Sequence, residues 1–500
     1  MALSVLDHRA ALGVGDGRLY VDGTWREGSE GETWAHVHPA SNEEVGRFAV
    51  ASKADVTEAV AAARRVFDDD RGPWRAMGAR DRSRLLQQAA ALIAEHADEL
   101  QDLQTLDNGM PVSFSSIYQV SATITADIFD YHAGWVSRIA GETLPTHTGP
   151  DMFVMTLREP VGVVGAVIPW NAPLMLFAQK VAPALAAGCT VVLKPSEYAT
   201  FAVLRLTELL EEAGIPAGVL NVVPGPGSTT GEALVTSPLL DKITFTGSRA
   251  VGRRIMQAAA EGVVRVSLEL GGKSPNIVFP DAPDLDLAAM TAMGMVSMGL
   301  SGQGCVCHTR LLAHRDIYDE MVTKCAAMAA ASVPGNPFER TTTSGPIINT
   351  RQLDRVMGYI DRGSADGARL VTGGDRPGGE LANGNFVNAT LFADVDNDMA
   401  IARDEIFGPV LAVIPFADED EAVRLANDTD YGLGASVQTA DVSRALRVAR
   451  AVRSGTFGVN GYTVMPNAPF GGYKQSGVGR EGGAEGIDAF LETKTVTIAL

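Results

Sequence analysis

The stretch Val161-Gly162-Val163-Val164-Gly165-Ala166-Val167-Ile168-Pro169-Trp170-Asn171-Ala172-Pro173 decides how this chain folds. A run of β-branched residues ended by a proline reads as a strand over 161–168. The apolar segment that follows reads as a helix over 173–187, closed by Gly188. Thr190-Val191-Val192-Leu193 opens a second strand, and a helix over 201–213 is stopped by Gly214. The alternation continues with a strand at 219–223, a helix from Thr230, a strand at 242–246, a helix at 249–260 and a strand at 263–268. Strands separated by helices at this pitch imply right-handed βαβ units and a parallel sheet.

Outward from this core, the first 130 residues read as mostly helical, with helices over 55–67 and 81–106 and with Ser52 or Asp55 placed to cap the former. Beyond Lys273 a second alternating region reaches about Asn460 and implies another α/β domain. Two short alternating segments, 152–157 and 493–498, each read as an edge strand. A chain of 500 residues is too long for one ordinary core, so two or three domains are expected.

The formal charge of −19 argues against a general nucleic-acid binder, whose phosphate contacts need a basic surface. It leaves an anionic cofactor open, because local backbone amides bind phosphate regardless of the total. Four cysteines in a chain this long do not make a disulfide framework. The start, Met1-Ala2-Leu3-Ser4-Val5-Leu6-Asp7-His8, lacks the basic and apolar regions of a secretory signal. Two uncharged windows, 160–179 and 287–307, read as buried core, the first being broken by Pro160, Pro169, Asn171 and Pro173. No membrane association and a cytoplasmic location are expected.

Chemistry concentrates in Ser301-Gly302-Gln303-Gly304-Cys305 and Leu268-Glu269-Leu270-Gly271-Gly272-Lys273. A thiol attacks only as thiolate, and a carboxylate can move protons. Asn171 offers a neutral N–H₂ donor suited to a developing oxyanion. Taken alone, each has a plainer account: Cys305 as a small buried hydrophobe, Glu269 as a strand-end carboxylate, Asn171 as a turn residue or helix cap. Gly247-Ser248-Arg249-Ala250-Val251-Gly252 follows a predicted strand and opens a predicted helix, a setting for pyrophosphate or simply for a cap at Ser248. Gly225-Pro226-Gly227, with Gly231 next, lacks the fingerprint spacing and reads as a turn. Cys305, Cys307 and His308 lack a fourth ligand, so no metal site is expected. Cys307 reads as a neighbour able to form a reversible disulfide, and Cys189 and Cys325 as core.

With Pro169-Trp170-Asn171, Lys194-Pro195-Ser196-Glu197, Phe245-Thr246-Gly247-Ser248 and Glu405-Ile406-Phe407-Gly408-Pro409, these segments resemble the NAD(P)-dependent aldehyde dehydrogenase superfamily, in family order and over nearly the whole chain. The resemblance implies a Rossmann-type parallel-sheet cofactor domain (1–130 and 159–272), an α/β catalytic domain bearing the thiol (273–470), and a small β oligomerisation flap (131–158 and 484–500). It implies a homodimer or homotetramer in which the flap completes a partner's sheet, ordinary edge strands within one subunit being the alternative. It makes Cys305 the nucleophile, Glu269 the general base and Asn171, with the Cys305 amide, the oxyanion donor. Lys180 is either an accessory or a plain helix-surface charge.

The cofactor residues implied are Pro169, Trp170, Lys194, Ser196, Glu197, Gly227, Gly247, Ser248, Gly252, Leu270, Glu405 and Phe407. Glu197 favours NAD, since a carboxylate accepts from both ribose hydroxyls and repels a 2′-phosphate. The neighbouring Lys194 keeps NADP open. Three positions depart from the common pattern: Leu300, Gly304 and Ala172. The small Ala172 should widen a channel whose walls include Met175, Leu176, Met465 and Phe470, favouring medium, long or aromatic aldehydes. Rival readings are a CoA-acylating relative, which Glu269 disfavours, a thiol esterase, and a structural protein on the same fold.

Overall fold

The computed structural model describes residues 5–147 and 151–500. Met1–Ser4 and residues 148–150, within the expected flap, lie outside the described residues.

The predicted alternation builds an eight-stranded sheet. Its five parallel strands lie side by side in the order Arg265–Glu269, Lys242–Thr246, Val163–Val167, Thr190–Lys194, Leu220–Val222. Val163–Val167 is the middle strand of the five, paired with both neighbours and buried at every residue, as a strand covered by helices on both faces must be. The helix after it runs Pro173–Ala187, with proline at its first turn and Gly188 left-handed at its end (φ +95°). A second, seven-stranded sheet holds the strands between Pro275 and Val459, parallel except where Arg369–Thr372 meets Thr390–Ala393. The fold is therefore α/β, as the periodicity implied.

Several expectations are corrected. The first 130 residues hold four short strands besides helices: Leu19–Val21, Thr24–Arg26, Thr33–His38 and Glu43–Ala49. Two of them are three residues long, too short to show a period, and Leu19–Val21 pairs antiparallel with the edge of the large sheet. The segment 81–106 is two helices, Ala79–Glu95 and Ala97–Asn108, broken at His96. The helix near 55–67 is Lys53–Asp68, and Ser52 and Asp55 share its cap as a reciprocal capping box. Val263 lies outside the last parallel strand. It is left-handed (φ +52°), 87% exposed, and closes the helix Arg249–Gly262. The helix placed from Thr230 is a π-turn, Gly227–Gly231, followed by Glu232–Val235. Met152–Pro160 is central rather than an edge: Leu491–Ala499 lies on one side over nine antiparallel pairs and Thr143–Leu144 on the other.

No helix among the described residues is long and apolar enough to cross a membrane. The window 287–307 is broken into Leu285–Ala289, a π-turn Met290–Gly294 and Met295–Ser297.

The central strand is anchored at its start. Gly162 has φ +132°, and the Asp241 carboxylate beside it accepts from the Val163 amide (2.7 Å) and from Arg64. A Cβ at Gly162 would run into that carboxylate. Gly162→Ala should therefore cost about 2–4 kcal/mol, through strain and displacement of Asp241. A thermal melt should show a midpoint several degrees lower, and an unchanged midpoint would contradict this account.

Candidate active site

The C-terminal ends of the parallel strands carry the candidate residues. Thr246 and Glu269 are register partners at the last rung of adjacent strands, so both side chains emerge at the same level. Asn171 lies in the loop between the middle strand and its helix. Ala172 takes the capping position of that helix, which leaves the Asn171 amide unused by the cap. Asn171 Nδ2 instead donates to the Gln303 carbonyl at 3.1 Å, tying it to the loop that carries Cys305.

That loop is held by its own polar groups. Ser301, left-handed at φ +52°, bonds Ser344 and the Gly345 carbonyl through its hydroxyl. The buried Gln303 side chain donates to Leu300 O (2.7 Å) and Pro346 O (3.0 Å) and accepts from Ile348 N (3.0 Å). Gly302 (φ +73°) and Gly272 each permit a backbone approach that a Cβ would block, the second of them against the Cys305 carbonyl.

Two cavities meet at this loop. One, of about 300 Å³, is an apolar channel lined by Ala172, Met175, Leu176 and Phe470 among the expected residues. Met110, Phe114, Ile117, Met295, Met298 and Val464 complete much of its wall. Met465 does not line it: that side chain is 49% exposed, while its neighbours Thr463 and Val464 face the channel. The other, a cleft of about 750 Å³, is lined by Pro169, Trp170, Ser196, Glu197, Gly247, Ser248, Leu270, Glu405 and Phe407. Four residues line both cavities: Asn171, Thr246, Glu269 and Cys305.

Three residues expected at the cofactor do not line the cleft. Lys194 is buried, and its ammonium donates to the carbonyls of Pro195 and Gly225 (2.7 Å each), so it ties two loops together. Gly252 packs its helix against Leu270, where a Cβ would collide. Gly227 opens the π-turn away from the cleft. Ser248, by contrast, both lines the cleft and caps its helix by accepting from Val251 N (3.4 Å). Arg249 and Ala250, the first two residues of that helix, also line the cleft, and their amides have no carbonyl partner one turn back. On the far wall, Phe407 is held left-handed (φ +60°) while Gln352 Nε2 donates to the carbonyls of Ile406 and Phe407 (2.9 Å each). Its ring meets Trp170 edge-on at 5.7 Å. Glu405 accepts from Gly272 N at 3.1 Å.

The electrostatics are those of a dry site. Burial, then the neighbouring Glu481 carboxylate, hold the Glu269 carboxyl well above the ordinary range, with Lys180 and Arg480 opposing. One Glu269 oxygen, one Glu481 oxygen and the Thr246 hydroxyl are buried without a protein partner. Lys180 is not a surface charge: it is fully buried, paired with Glu481 and 3.4 Å from Thr244 Oγ1. Glu481 escaped the sequence reading because it sits in Gly479-Arg480-Glu481-Gly482-Gly483, which has no periodicity to place it. A backbone bridge to Phe470 brings it in. Burial, Glu405, Glu269 and Cys307 push the Cys305 thiol well above its usual range, and its own amide N–H alone favours the thiolate. Cys307 is buried, donates to Met295 O at 3.3 Å, and is pushed up to about 12 by burial. Cys189 and Cys325 are buried in the core.

A nucleotide-sized cleft and an apolar channel, joined at a thiol and a buried carboxylate on an α/β scaffold, define the class: a thiol-bearing dehydrogenase. The chain belongs to the aldehyde dehydrogenase family, whose sequence profile matches residues 25–496, and it is an oxidoreductase. It is 44% identical to an aldehyde dehydrogenase of Enchytraeus buchholzi, over 96% of this chain and 95% of that one. It is 42% identical to the mitochondrial aldehyde dehydrogenase of Mesocricetus auratus, over 96% and 95%. Among solved structures it resembles an aldehyde dehydrogenase of Bacillus cereus in complex with NAD⁺ (TM-score 0.94, 39% identity, 98% of each chain). It also resembles the AldA indole-3-acetaldehyde dehydrogenase of P. syringae in complex with NAD⁺ and IAA (TM-score 0.95, 39% identity, 100% of each chain).

A thiol held this far up is mostly protonated at neutral pH. Alkylation of Cys305 by iodoacetamide in the ligand-free protein should be slow at pH 7 and rise about tenfold per pH unit to pH 9. A plateau below pH 8, followed by peptide mass spectrometry, would contradict the assigned electrostatics.

Proposed function

We propose that this protein oxidises an apolar aldehyde to its carboxylic acid with NAD, through an acyl group carried on Cys305. The observation that supports it is that Asn171, Thr246, Glu269 and Cys305 line both the apolar channel and the cleft. The residues fit the dinucleotide: free helix-start amides at Arg249 and Ala250 suit a pyrophosphate, and Glu197 and Glu405 offer carboxylates to ribose hydroxyls. When bound, NAD supplies the acceptor for a hydride.

Cys305 Sγ adds to the aldehyde carbon, and the thiol proton leaves to Glu269. The resulting oxyanion is held by the Cys305 amide and by Asn171, whose N–H₂ group has a second donor beside the one given to Gln303. Loss of hydride from that carbon leaves a thioester on Cys305. Glu269 passes the thiol proton to solvent and then deprotonates a water, which adds to the thioester carbon. The C–S bond breaks, the departing sulfur takes a proton back from Glu269, and the carboxylic acid leaves. Lys180 acts through Glu481, whose charge sets how readily Glu269 takes a proton.

The division into a dinucleotide-binding domain (1–130 and 159–272), a thiol-bearing domain (273–470) and a flap (131–158 and 484–500) is part of this reading. So is a homodimer or homotetramer, supported by Phe153, Leu157 and Ile498, which are exposed on the three-stranded sheet. Four free cysteines suit a cytoplasmic location.

NADH absorbance with an aldehyde panel tests the reaction. Cys305→Ser should abolish NADH formation. Glu269→Gln should lower steady turnover by about 10²–10⁴ and remove the rise of rate with pH that a high carboxyl pKa imposes. Undiminished turnover by Cys305→Ser would overturn the proposal.

The channel makes a separate prediction. Its walls are apolar, with methionines at 110, 175, 295 and 298 that adapt to a chain or ring. The likeness to an indole-3-acetaldehyde dehydrogenase points the same way. Octanal and benzaldehyde should each exceed acetaldehyde in kcat/KM by about tenfold or more, since each buried methylene is worth about 1–3 kcal/mol. A clear preference for acetaldehyde would reject it.

A further inference from the structure

The end of the cleft beyond strand Thr190–Lys194 is lined by Ser196, Glu197 and Tyr198, and in doubly wound folds the adenosine ribose is met there. Lys194, the cation that the sequence suggested for a 2′-phosphate, is already engaged: its ammonium lies 3.5 Å from the Glu197 carboxylate. That ammonium is buried and also donates to two carbonyls. The facing wall belongs to the other sheet's half of the molecule, where the helix Thr350–Ala365 begins with Asn349 as its cap. That helix buries Leu353, Val356 and Ile360 in the second core and presents Arg351 to the cleft.

Arg351 has three features that helix stability does not explain. It stands in the first turn, where the helix dipole disfavours a cation. No acidic residue shares that turn. Among the described residues no carboxylate lies within ion-pair distance of it, although the chain carries nineteen more acidic than basic side chains. Its neighbourhood is the adenosine end: the Tyr198 phenol, raised first by burial and then by Glu197, is lowered by Arg351. Arg351 and Glu197 thus act on the same ring from two sides of the cleft.

We propose that Arg351 sets the dinucleotide specificity of this cleft, presenting its guanidinium to the 2′-phosphate of NADP so that the protein reduces NADP as well as NAD. Glu197 accepts from the free ribose hydroxyls of NAD and opposes a 2′-phosphate, while Arg351 offsets that repulsion with a charge-assisted contact. The inference rests on the reading of the cleft as a dinucleotide site.

The test compares kcat/KM for NADP and NAD in the wild type, Arg351→Gln, Arg351→Lys and Glu197→Gln, with calorimetric binding of both dinucleotides alongside. The wild type should reduce NADP. Arg351→Gln should lower the NADP-to-NAD ratio about tenfold or more, Arg351→Lys should recover part of it, and Glu197→Gln should raise it. Arg351 is exposed, so its variants are expected to fold. An unchanged ratio in Arg351→Gln, or a wild type that turns over NAD but neither binds nor reduces NADP, overturns this inference and leaves the proposed reaction standing. Failure to bind either dinucleotide overturns both.

Discussion

The side-chain amide of Gln303 is the constraint on which the site depends. It makes three hydrogen bonds inside a dry loop, and its backbone carbonyl takes a fourth from Asn171. A buried amide left unpaired costs about 1–3 kcal/mol, so the loop has one low-energy path rather than many. That path sets the sulfur two residues later against the ends of two parallel strands from a different sheet. The oxyanion donor is thereby tied, through the Gln303 carbonyl, to the loop that carries the nucleophile.

Around that fixed point the molecule keeps charge in apolar surroundings. Lys180 and Glu481 are both buried, and each would be very costly alone. Their pairing places a carboxylate beside Glu269, whose own oxygen is left without a protein partner. A carboxyl poised well above its ordinary range is a poor resting anion and a better proton acceptor, the property a water-activating base requires. The thiol is held protonated by the same dryness, and it is the ionised fraction of Glu269 that takes its proton as the sulfur adds.

Backbone freedom is used where the two halves of the molecule touch. Gly272 lets the strand end approach the nucleophile's carbonyl, Gly471 lets a C-terminal loop approach Glu269, and Phe407 is held left-handed while Gln352 binds the carbonyls of that turn. A non-glycine residue in that region carries strain, and its ring is presented to Trp170 across the cleft.

The sequence by itself determined the parallel core. The runs at 163–167, 190–194 and 242–246 are β-branched and continuous, and the helices between them are closed by glycines that only a left-handed turn would select. It also marked Cys305, Glu269 and Asn171, because the segments that carry them resemble one family in order, although each residue alone has a plainer account. Short strands such as Leu19–Val21 stayed hidden, since three residues carry no period and gain their bonds from a sheet built by residues two hundred positions away. Only the tertiary structure decided that Lys194 faces inward and Arg351 faces the cleft, that Met465 is exposed while Val464 lines the channel, and that Glu481 joins Lys180. Those assignments depend on which way a long side chain turns and on what lies across a gap, and a linear pattern holds no information about either.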